Sequence, residues 1–272
     1  MDILITGSNG FLAKNIISKL KKYNFFTISR NELDLTNKIQ VDNFFQKNFF
    51  DVVINTAIVG GRRSIKDSKD IFYDNVLISM NIAGNRASYK KLIHFGSGAE
   101  LDRSREINES SNIFSSLPTD PYGLSKNVIA RLFDNYDNFY NLRLFNVFAD
   151  NEEKNRMVAN NINNYINHSS IAIHQDRYMD FIYIDDFLKI LEKYIDDENL
   201  PKSIDCVYDD KYKLSDIANM INNLSNYKVD VDILDKNFGL SYCGKSIDLG
   251  LNFDGLEHGI KELYSIILKE RQ

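Results

Sequence analysis

The chain has two cysteines, Cys206 and Cys243, in 272 residues, and they form no Cys-x-x-Cys pair. That scarcity argues against a disulfide framework or a structural zinc site and leaves both as small buried residues. Four histidines are spread without a metal-ligand constellation, so no metal is expected, and His94 lies within an apolar run as a packed core residue. Prolines number three: Pro118 and Pro121 bracket a turn before a helix, and Pro201 breaks the chain before "SIDCVY". No repeat or low-complexity linker appears. No stretch of about twenty apolar residues exists, and Met1 leads straight into "DILITG" without a basic segment, so neither a spanning helix nor a signal peptide is expected. Cytoplasm is the expected compartment. Basic residues never form a long block, and the formal net charge is −5, which argues against nucleic acid or an anionic membrane as the main partner. What remains is a soluble globular composition, 43% hydrophobic, long enough for one large domain or a domain with an appendage.

Strand-like and helix-like patterns alternate. "DILIT" (2–6) precedes a helix from Phe11 to about Lys22, with Leu12, Ile16 and Leu20 on one face. "FFTIS" (25–29), "FDVVINTA" (50–57), "KLIHFGS" (91–97) and "NLRLFNV" (141–147) follow as strands, with crossover helices at 70–88 and 123–137. The alternation predicts an α/β fold with a doubly wound parallel sheet and helices on both faces. After the Asn-rich 151–168, strands 171–174, 180–184 and 229–234 mix with helices near 185–197, 214–225 and 254–270. They suggest a smaller C-terminal substrate-binding lobe: residues 1–150 bind the nucleotide, 181–208 return to that domain, and 151–180 with 209–272 form the lobe.

"ITGSNGFLA" (5–13) places Gly7, Gly10 and Ala13 where the first strand meets the first helix. Such a turn lets backbone N–H groups face a pyrophosphate at the helix N-terminus, the Rossmann-type arrangement, with Asn9, Phe11 and Leu12 around it. At the end of the second strand an acid would accept from an adenosine ribose, whereas an arginine would pair with a 2′-phosphate. The sequence offers Arg30 there, in "TISRNELDL", and favours NADP(H). The alternative is that Arg30 is a solvated surface residue and Glu32 or Asp34 reaches the ribose. Asp34 and Leu35 would lie near the adenine, and Thr56, Ala57 and Ile58 end the third strand beside the cofactor.

"DPYGLSK" sets Tyr122 and Lys126 four apart at a helix start, on one helical face. There the ammonium can favour phenolate character on the tyrosine, which can then pass a proton to or from a carbonyl oxygen as hydride moves.

Through "TGSNGFLA", "NTA", "FGSG", "YGLSK", "RLFNVF" and "DFIYIDDF" the chain resembles extended short-chain dehydrogenase/reductases of the nucleotide-sugar epimerase/dehydratase type, well over residues 1–190 and loosely beyond. The resemblance implies a catalytic set of Ser97, Tyr122 and Lys126, with Ser97 hydrogen-bonding the sugar's keto or hydroxyl oxygen. It implies that Phe145 lies near the nicotinamide, that Asn146 contacts substrate, and that Asn75 either nears the active site or packs its helix. "VGGRR" (59–63), with Gly60 and Gly61, would wall the sugar, with Arg62 or Arg63 close by, or form an exposed basic loop. Dehydratases of the family carry Asp and Glu after this serine; here stand Gly98 and Ala99, and Glu100, one step late, would point the other way on an extended backbone. Within the family the pattern is closest to GDP-fucose synthase-like 4-keto sugar reductases. Their epimerising cysteine and histidine are replaced here by Ala99 and Asn151. The family's phosphate-binding arginine is Met179, with Arg177, Arg156 and Lys245 as substitutes. The implied function is NADPH-dependent reduction of a nucleotide-linked 4-keto sugar, with a nucleotide-diphosphate sugar as partner and a homodimer formed through the 70–88 and 123–137 helices. An NAD-dependent 4-epimerase and a non-catalytic NADP-binding regulator are the alternatives.

Overall fold

The structure is a computed structural model that describes residues 1–60 and 70–271. Ten strands and eight α-helices occur among them, in the order β1 (Asp2–Thr6), α1 (Phe11–Lys19), β2 (Asn24–Ile28), α2 (Lys38–Phe45), β3 (Phe50–Asn55), α3 (Ile71–Gly84), β4 (Tyr89–Ser97), α4 (Pro121–Phe133), β5 (Phe139–Leu144), β6 (Val147–Phe148), α5 (Met157–Ile166), β7 (Ile171–Gln175), β8 (Ile182–Tyr183), α6 (Ile184–Asp196), β9 (Ser203–Cys206), α7 (Leu214–Asn222), β10 (Val231–Asp235) and α8 (Leu256–Glu270).

Six strands form one sheet in the order β2-β1-β3-β4-β5-β9, and the pairings from β2 through β5 are parallel. This is the doubly wound α/β sheet expected from the alternation. Apolar runs such as Ile3-Leu4-Ile5 are wholly buried because helices cover both faces, so alternation of polar and apolar residues is lost along them. Each such side chain contributes roughly 1.5–3 kcal/mol. One face packs Leu4, Val53 and Leu92 against Val41 and Phe45 of α2, Ile78 and Ile82 of α3, and Ile129 and Phe133 of α4.

The chain packs as two units. The first comprises Met1–Ser104, Ser111–Leu144 and Leu191–Ile204; the second comprises Arg105–Ser110, Phe145–Ile190 and the chain from Asp205 on. Two parallel pairs, β10-β7 and β6-β8, belong to the second unit.

Several element boundaries differ from those expected. The first helix ends at Lys19, not Lys22, because β2 starts at Asn24 in register with Asp2. The expected strand 141–147 breaks after Leu144: Asn146 O accepts from Ile182 N, which starts the β6-β8 pair in the second unit. The strand expected over 180–184 is reduced to Ile182–Tyr183, since Ile184 already begins α6.

Candidate active site

Gly7 opens the turn between β1 and α1 at φ +66°, and a Cβ there would lie 2.8 Å from Ala57 Cα, so only glycine fits against the end of β3. Gly10 N donates to Gly7 O at 2.9 Å, Ser8 N to Ile28 O at 3.1 Å, and Thr56 Oγ1 to Thr6 O at 2.7 Å. These bonds gather the ends of β1, β2 and β3 around one turn. Gly10 is the N-cap of α1 and offers no side-chain acceptor to the amides of the first helical turn, among them Phe11 and Leu12. A glycine cradle and a helix start with no capping side chain fit a nucleotide pyrophosphate. Asn9 lies exposed in the turn.

Beyond β2, the two acids that might have taken a ribose are engaged locally. Glu32 accepts from Ser29 N and Ser29 Oγ, both at 2.7 Å, which hold its carboxyl below the usual range. Asp34 accepts from Thr36 Oγ1 at 2.7 Å and Thr36 N at 3.0 Å and is likewise lowered, with a smaller contribution from the charge of Arg30. Arg30 itself is exposed. Leu35 is buried in the core cluster, so its side chain faces α2 and α3 neighbours.

After β3, Ile58 is exposed while Val59 is clamped: Asn75 Oδ1 accepts from Val59 N at 2.8 Å and Asn75 Nδ2 donates to Val59 O at 2.9 Å. Gly60 follows at φ +80°. Gly61, Arg62 and Arg63 lie outside the described residues.

The end of β4 corrects one expectation. The backbone is extended only to Ser97 and then enters a tight 3-10 turn over Gly98–Glu100. Glu100 is therefore not on an extended chain; it folds back beneath the strand, fully buried, and accepts from Ser97 N at 3.0 Å, Arg143 Nε at 2.8 Å and Asn141 Nδ2 at 3.1 Å. Gly96 is required by packing: a Cβ there would meet Glu100 Oε1 at 2.2 Å. Ser97 Oγ accepts from Ala99 N at 3.1 Å and is partly exposed.

Helix α4 packs directly on this turn. Asp120 caps it by accepting from Gly123 N at 2.8 Å, Pro121 takes the first helical position, and a Cβ on Gly123 would lie 2.6 Å from Ala99 O. Tyr122, between Pro121 and Gly123, is thereby set beside Ser97–Ala99. Lys126, one turn on, is buried and donates to Phe95 O at 2.5 Å, with His94 Nε2 3.4 Å from its Nζ. Burial pulls the Lys126 ammonium down to about 8, against the raising charge of Glu100. Ser125 Oγ donates to Tyr122 O at 2.7 Å and accepts from Asn75 Nδ2 at 3.2 Å, so Asn75 serves both the segment after β3 and the tyrosine turn.

Thus the segments that carry Ser97, Tyr122 and Lys126 pack against one another in the first unit, with the glycine turn and Thr56-Ala57 linked to Lys126 through buried polar groups. Phe145, Asn146 and Arg177 belong to the second unit. There Phe145 packs on Tyr242, ring centroids 4.9 Å apart, and Asn146 Nδ2 donates to Asp180 O at 2.8 Å. Arg177 Nε is buried with no hydrogen-bond partner among the described residues. Met179, where the family places arginine, donates its N–H to Tyr212 O. No cluster of His, Cys, Asp and Glu among the described residues could hold a metal ion, and no helix among them is long and apolar enough to cross a membrane. Thr6, Asn55, His94, Glu100 and Arg143 escaped the sequence reading as contributors. For Thr6, Asn55 and His94 a signal was present: a polar residue closes the apolar run of three strands, in "ILIT", "VVIN" and "LIH".

The structure thus presents a parallel sheet with a glycine turn at its first strand and with the segments that carry the serine, tyrosine and lysine near its carboxyl ends. The family model for the NAD dependent epimerase/dehydratase family matches residues 3–206, and the chain belongs to that family. GDP-L-colitose synthase of Yersinia pseudotuberculosis is 29% identical over 142 residues, 48% of this chain and 46% of that relative, so the chain spans about half of the relative's length. Two solved structures share the fold. They are GDP-mannoheptose C4 reductase of Campylobacter jejuni with NADP bound (TM-score 0.78, 20% identity, 98% of each chain covered) and a GDP-L-fucose synthetase of Naegleria fowleri bound to NADP (TM-score 0.80, 18% identity, 99% of this chain and 93% of that one).

Proposed function

We propose that the chain reduces the 4-keto group of a nucleotide-linked hexose or 6-deoxyhexose, using NADPH and without epimerising a neighbouring carbon. The observation that carries this reading is the turn after β4: next to Ser97 stand Gly98 and Ala99, and Glu100 is buried in its pair with Arg143, so this turn offers no second proton-transfer group. Moving a proton at a carbon beside the ketone needs an added acid or base; reducing the ketone needs one proton donor and a hydride. NADPH, when bound, supplies the hydride to the carbonyl carbon. Tyr122 Oη gives its proton to the carbonyl oxygen, so that C=O becomes CH–OH with charge balanced by the tyrosinate left behind. Ser97 Oγ, with one lone pair taken by Ala99 N–H, offers its hydrogen to the same oxygen. Lys126 supports the tyrosine from one helical turn away. The choice of NADPH over NADH is supported by Glu32 and Asp34 being satisfied within their own segment while Arg30 stays exposed. The names of the relatives, a GDP-L-colitose synthase and a GDP-mannoheptose C4 reductase, are consistent with chemistry on nucleotide sugars, and the second names reduction at C4.

Incubation of the protein with NADPH and a panel of GDP-, CDP-, UDP- and dTDP-linked 4-keto sugars, with NMR of the products, tests the reading. Oxidation of NADPH with one new 4-hydroxyl and unchanged neighbouring centres is expected. No turnover with any member overturns it, and interconversion of 4-hydroxy epimers with NAD retained establishes a 4-epimerase instead. With the best substrate, Tyr122→Phe lowers turnover about a hundredfold or more while cofactor binding persists. We also propose a homodimer through α3 and α4, since Tyr73, Leu77 and Met80 stand exposed on α3; light scattering showing a monomer at micromolar concentration removes that part.

A further inference from the structure

The face of the sheet that α4 covers encloses two opposite charges. His94 and Gly96 of β4 point to that face, and their register partners on β5 are Asn141 and Arg143. Lys126 reaches it from α4: Nζ donates to Phe95 O at 2.5 Å and lies 3.4 Å from His94 Nε2. Glu100 reaches it from the turn after β4. Its carboxylate fills the space where a Cβ on Gly96 would be, and it accepts from Asn141 Nδ2, Arg143 Nε and Ser97 N. The lysine thus meets His94 while the carboxylate meets Asn141, the partner of His94 one strand spacing, about 4.8 Å, away. The next residue of α4 ties the two segments directly: Asn127 Nδ2 donates to Glu100 O at 2.7 Å.

Water reaches neither charge. Lys126 is 4% exposed and Glu100 0%, so the ammonium bears a burial penalty that a nearby anion offsets. The three groups that meet the Glu100 carboxylate are all donors, which suits its ionised form. Arg143 balances that anion only in part. Its side chain is 11% exposed and its Nη2 donates to Ser203 Oγ at the surface at 3.3 Å, so solvent screens the guanidinium more than the carboxylate. His94 adds no charge, because burial and the lysine itself hold the imidazole well below its ordinary value.

We propose that Glu100 is a positioning residue that acts through its charge: the buried carboxylate keeps Lys126 an ammonium, so that a cation stands one helical turn from Tyr122 when the tyrosine gives up its proton. This rests on the catalytic reading of Tyr122 and Lys126 given above. Proton delivery leaves a tyrosinate, which a neighbouring cation stabilises and a neutral amine does not. Burial draws the lysine down to about 8 and the charge of Glu100 opposes that fall, so the group stands close to losing its proton near neutral pH. Without the carboxylate the balance tips toward the amine. The turn that carries no proton-transfer group at Gly98 and Ala99 therefore serves the reduction through the residue that follows them.

The test uses the full chain labelled with 13C-lysine, the Lys126 signal being identified by its loss in Lys126→Met. In the wild type its midpoint is expected near 8. In Glu100→Gln it falls by about half a unit or more. In Arg143→Gln, which opens the same hydrogen-bond cluster but keeps the anion, it holds or rises. A midpoint that holds or rises in Glu100→Gln, or one that falls equally in Arg143→Gln, overturns the proposal. The pH dependence of turnover is the second readout. A midpoint half a unit lower cuts the charged fraction of Lys126 at pH 8 about twofold and leaves it nearly complete at pH 6, so Glu100→Gln loses kcat relative to wild type between these values. An equal loss at both marks a purely structural role and overturns the proposal. If Glu100→Gln does not fold, the double variant Glu100→Gln/Arg143→Gln, in which amides replace both charges, is measured in its place with the same expectation. If neither folds, the wild-type midpoint decides: a value of about 7.5 or more upholds the proposal and a lower one overturns it. Normal turnover in Tyr122→Phe together with the expected midpoints removes the catalytic reading and leaves the pairing of Glu100 with Lys126 standing. A loss of about a hundredfold in Tyr122→Phe with an unmoved midpoint in Glu100→Gln does the reverse.

Discussion

Replacing Gly96 by alanine tests whether the buried carboxylate under the β4 turn holds the site together. The added Cβ would sit 2.2 Å from Glu100 Oε1, 2.4 Å from Asn141 Oδ1 and 2.9 Å from Asn141 Nδ2, all on groups enclosed in the protein. Two outcomes are open to the chain. Either the strand shifts, at an overpacking cost of about 1–3 kcal/mol, or Glu100 leaves Arg143 and Ser97, and breaking a buried pair costs about 3–5 kcal/mol. A loss of roughly 3 kcal/mol is a large part of a typical total of 5–15 kcal/mol, and at about 2–4 °C per kcal/mol it lowers Tm by roughly 10 °C. Turnover falls as well, because Ser97 N loses the acceptor that sets the turn. Gly84→Ala is the matched control: it closes α3, is exposed, and a Cβ there meets nothing within 4 Å. That change is expected to be neutral or to stabilise by up to about 1 kcal/mol. Thermal denaturation followed by circular dichroism measures both. A Gly96→Ala protein melting within about 2 °C of wild type would refute the packing argument for Glu100.

Arg143→Met leaves Glu100 buried without its cation and is expected to cost about 3–5 kcal/mol, read from urea denaturation midpoints; an unchanged midpoint would show that the pair is idle. Arg30→Ala is expected to weaken NADPH binding by about 10–100-fold with little effect on NADH, measured by fluorescence titration; parallel losses for both cofactors would remove Arg30 from the 2′-phosphate. His94 is neutral and buried in the folded chain, whereas the unfolded chain takes up a proton there below about pH 6.5. Stability from this group is thus complete above that pH and is lost by up to about 1.4 kcal/mol per unit as pH falls. His94→Gln should flatten the acid side of the stability profile by one proton's slope, and an unaltered slope would contradict the burial of a neutral ring.

The parts legible in the sequence were those written in local patterns. Gly7 and Gly10 between an apolar strand and an amphipathic helix specify the turn wherever the rest of the chain goes, and Pro121-Tyr122 with Asp120 before it marks a helix start by its own capping chemistry. The break after Leu144 was not legible, because "NLRLFNV" reads as one unbroken run and only the pairing of Val147 with Ile182, 35 positions away, stops it. Glu100 was misplaced for a related reason: the alternation rule assumes an extended chain, and the turn at Gly98 cancels it. His94 looked like a core residue and is one, yet its neighbour across the face comes from α4, and strand periodicity says nothing about which helix covers a strand.

Asn75 joins the segment after β3 to helix α3 in a way that has a mechanical consequence. One amide side chain receives the N–H of Val59 and returns a hydrogen to its C=O, the same exchange that a peptide unit of an adjacent strand would make. The sheet is in effect continued by one rung from a side chain, past the point where β3 has left its neighbours. Because that rung is anchored on a helix and shared with Ser125, the height at which Val59 sits is gauged against the tyrosine turn. Aspartate at 75 would keep the acceptor but lose the donor, opening the rung on one side only.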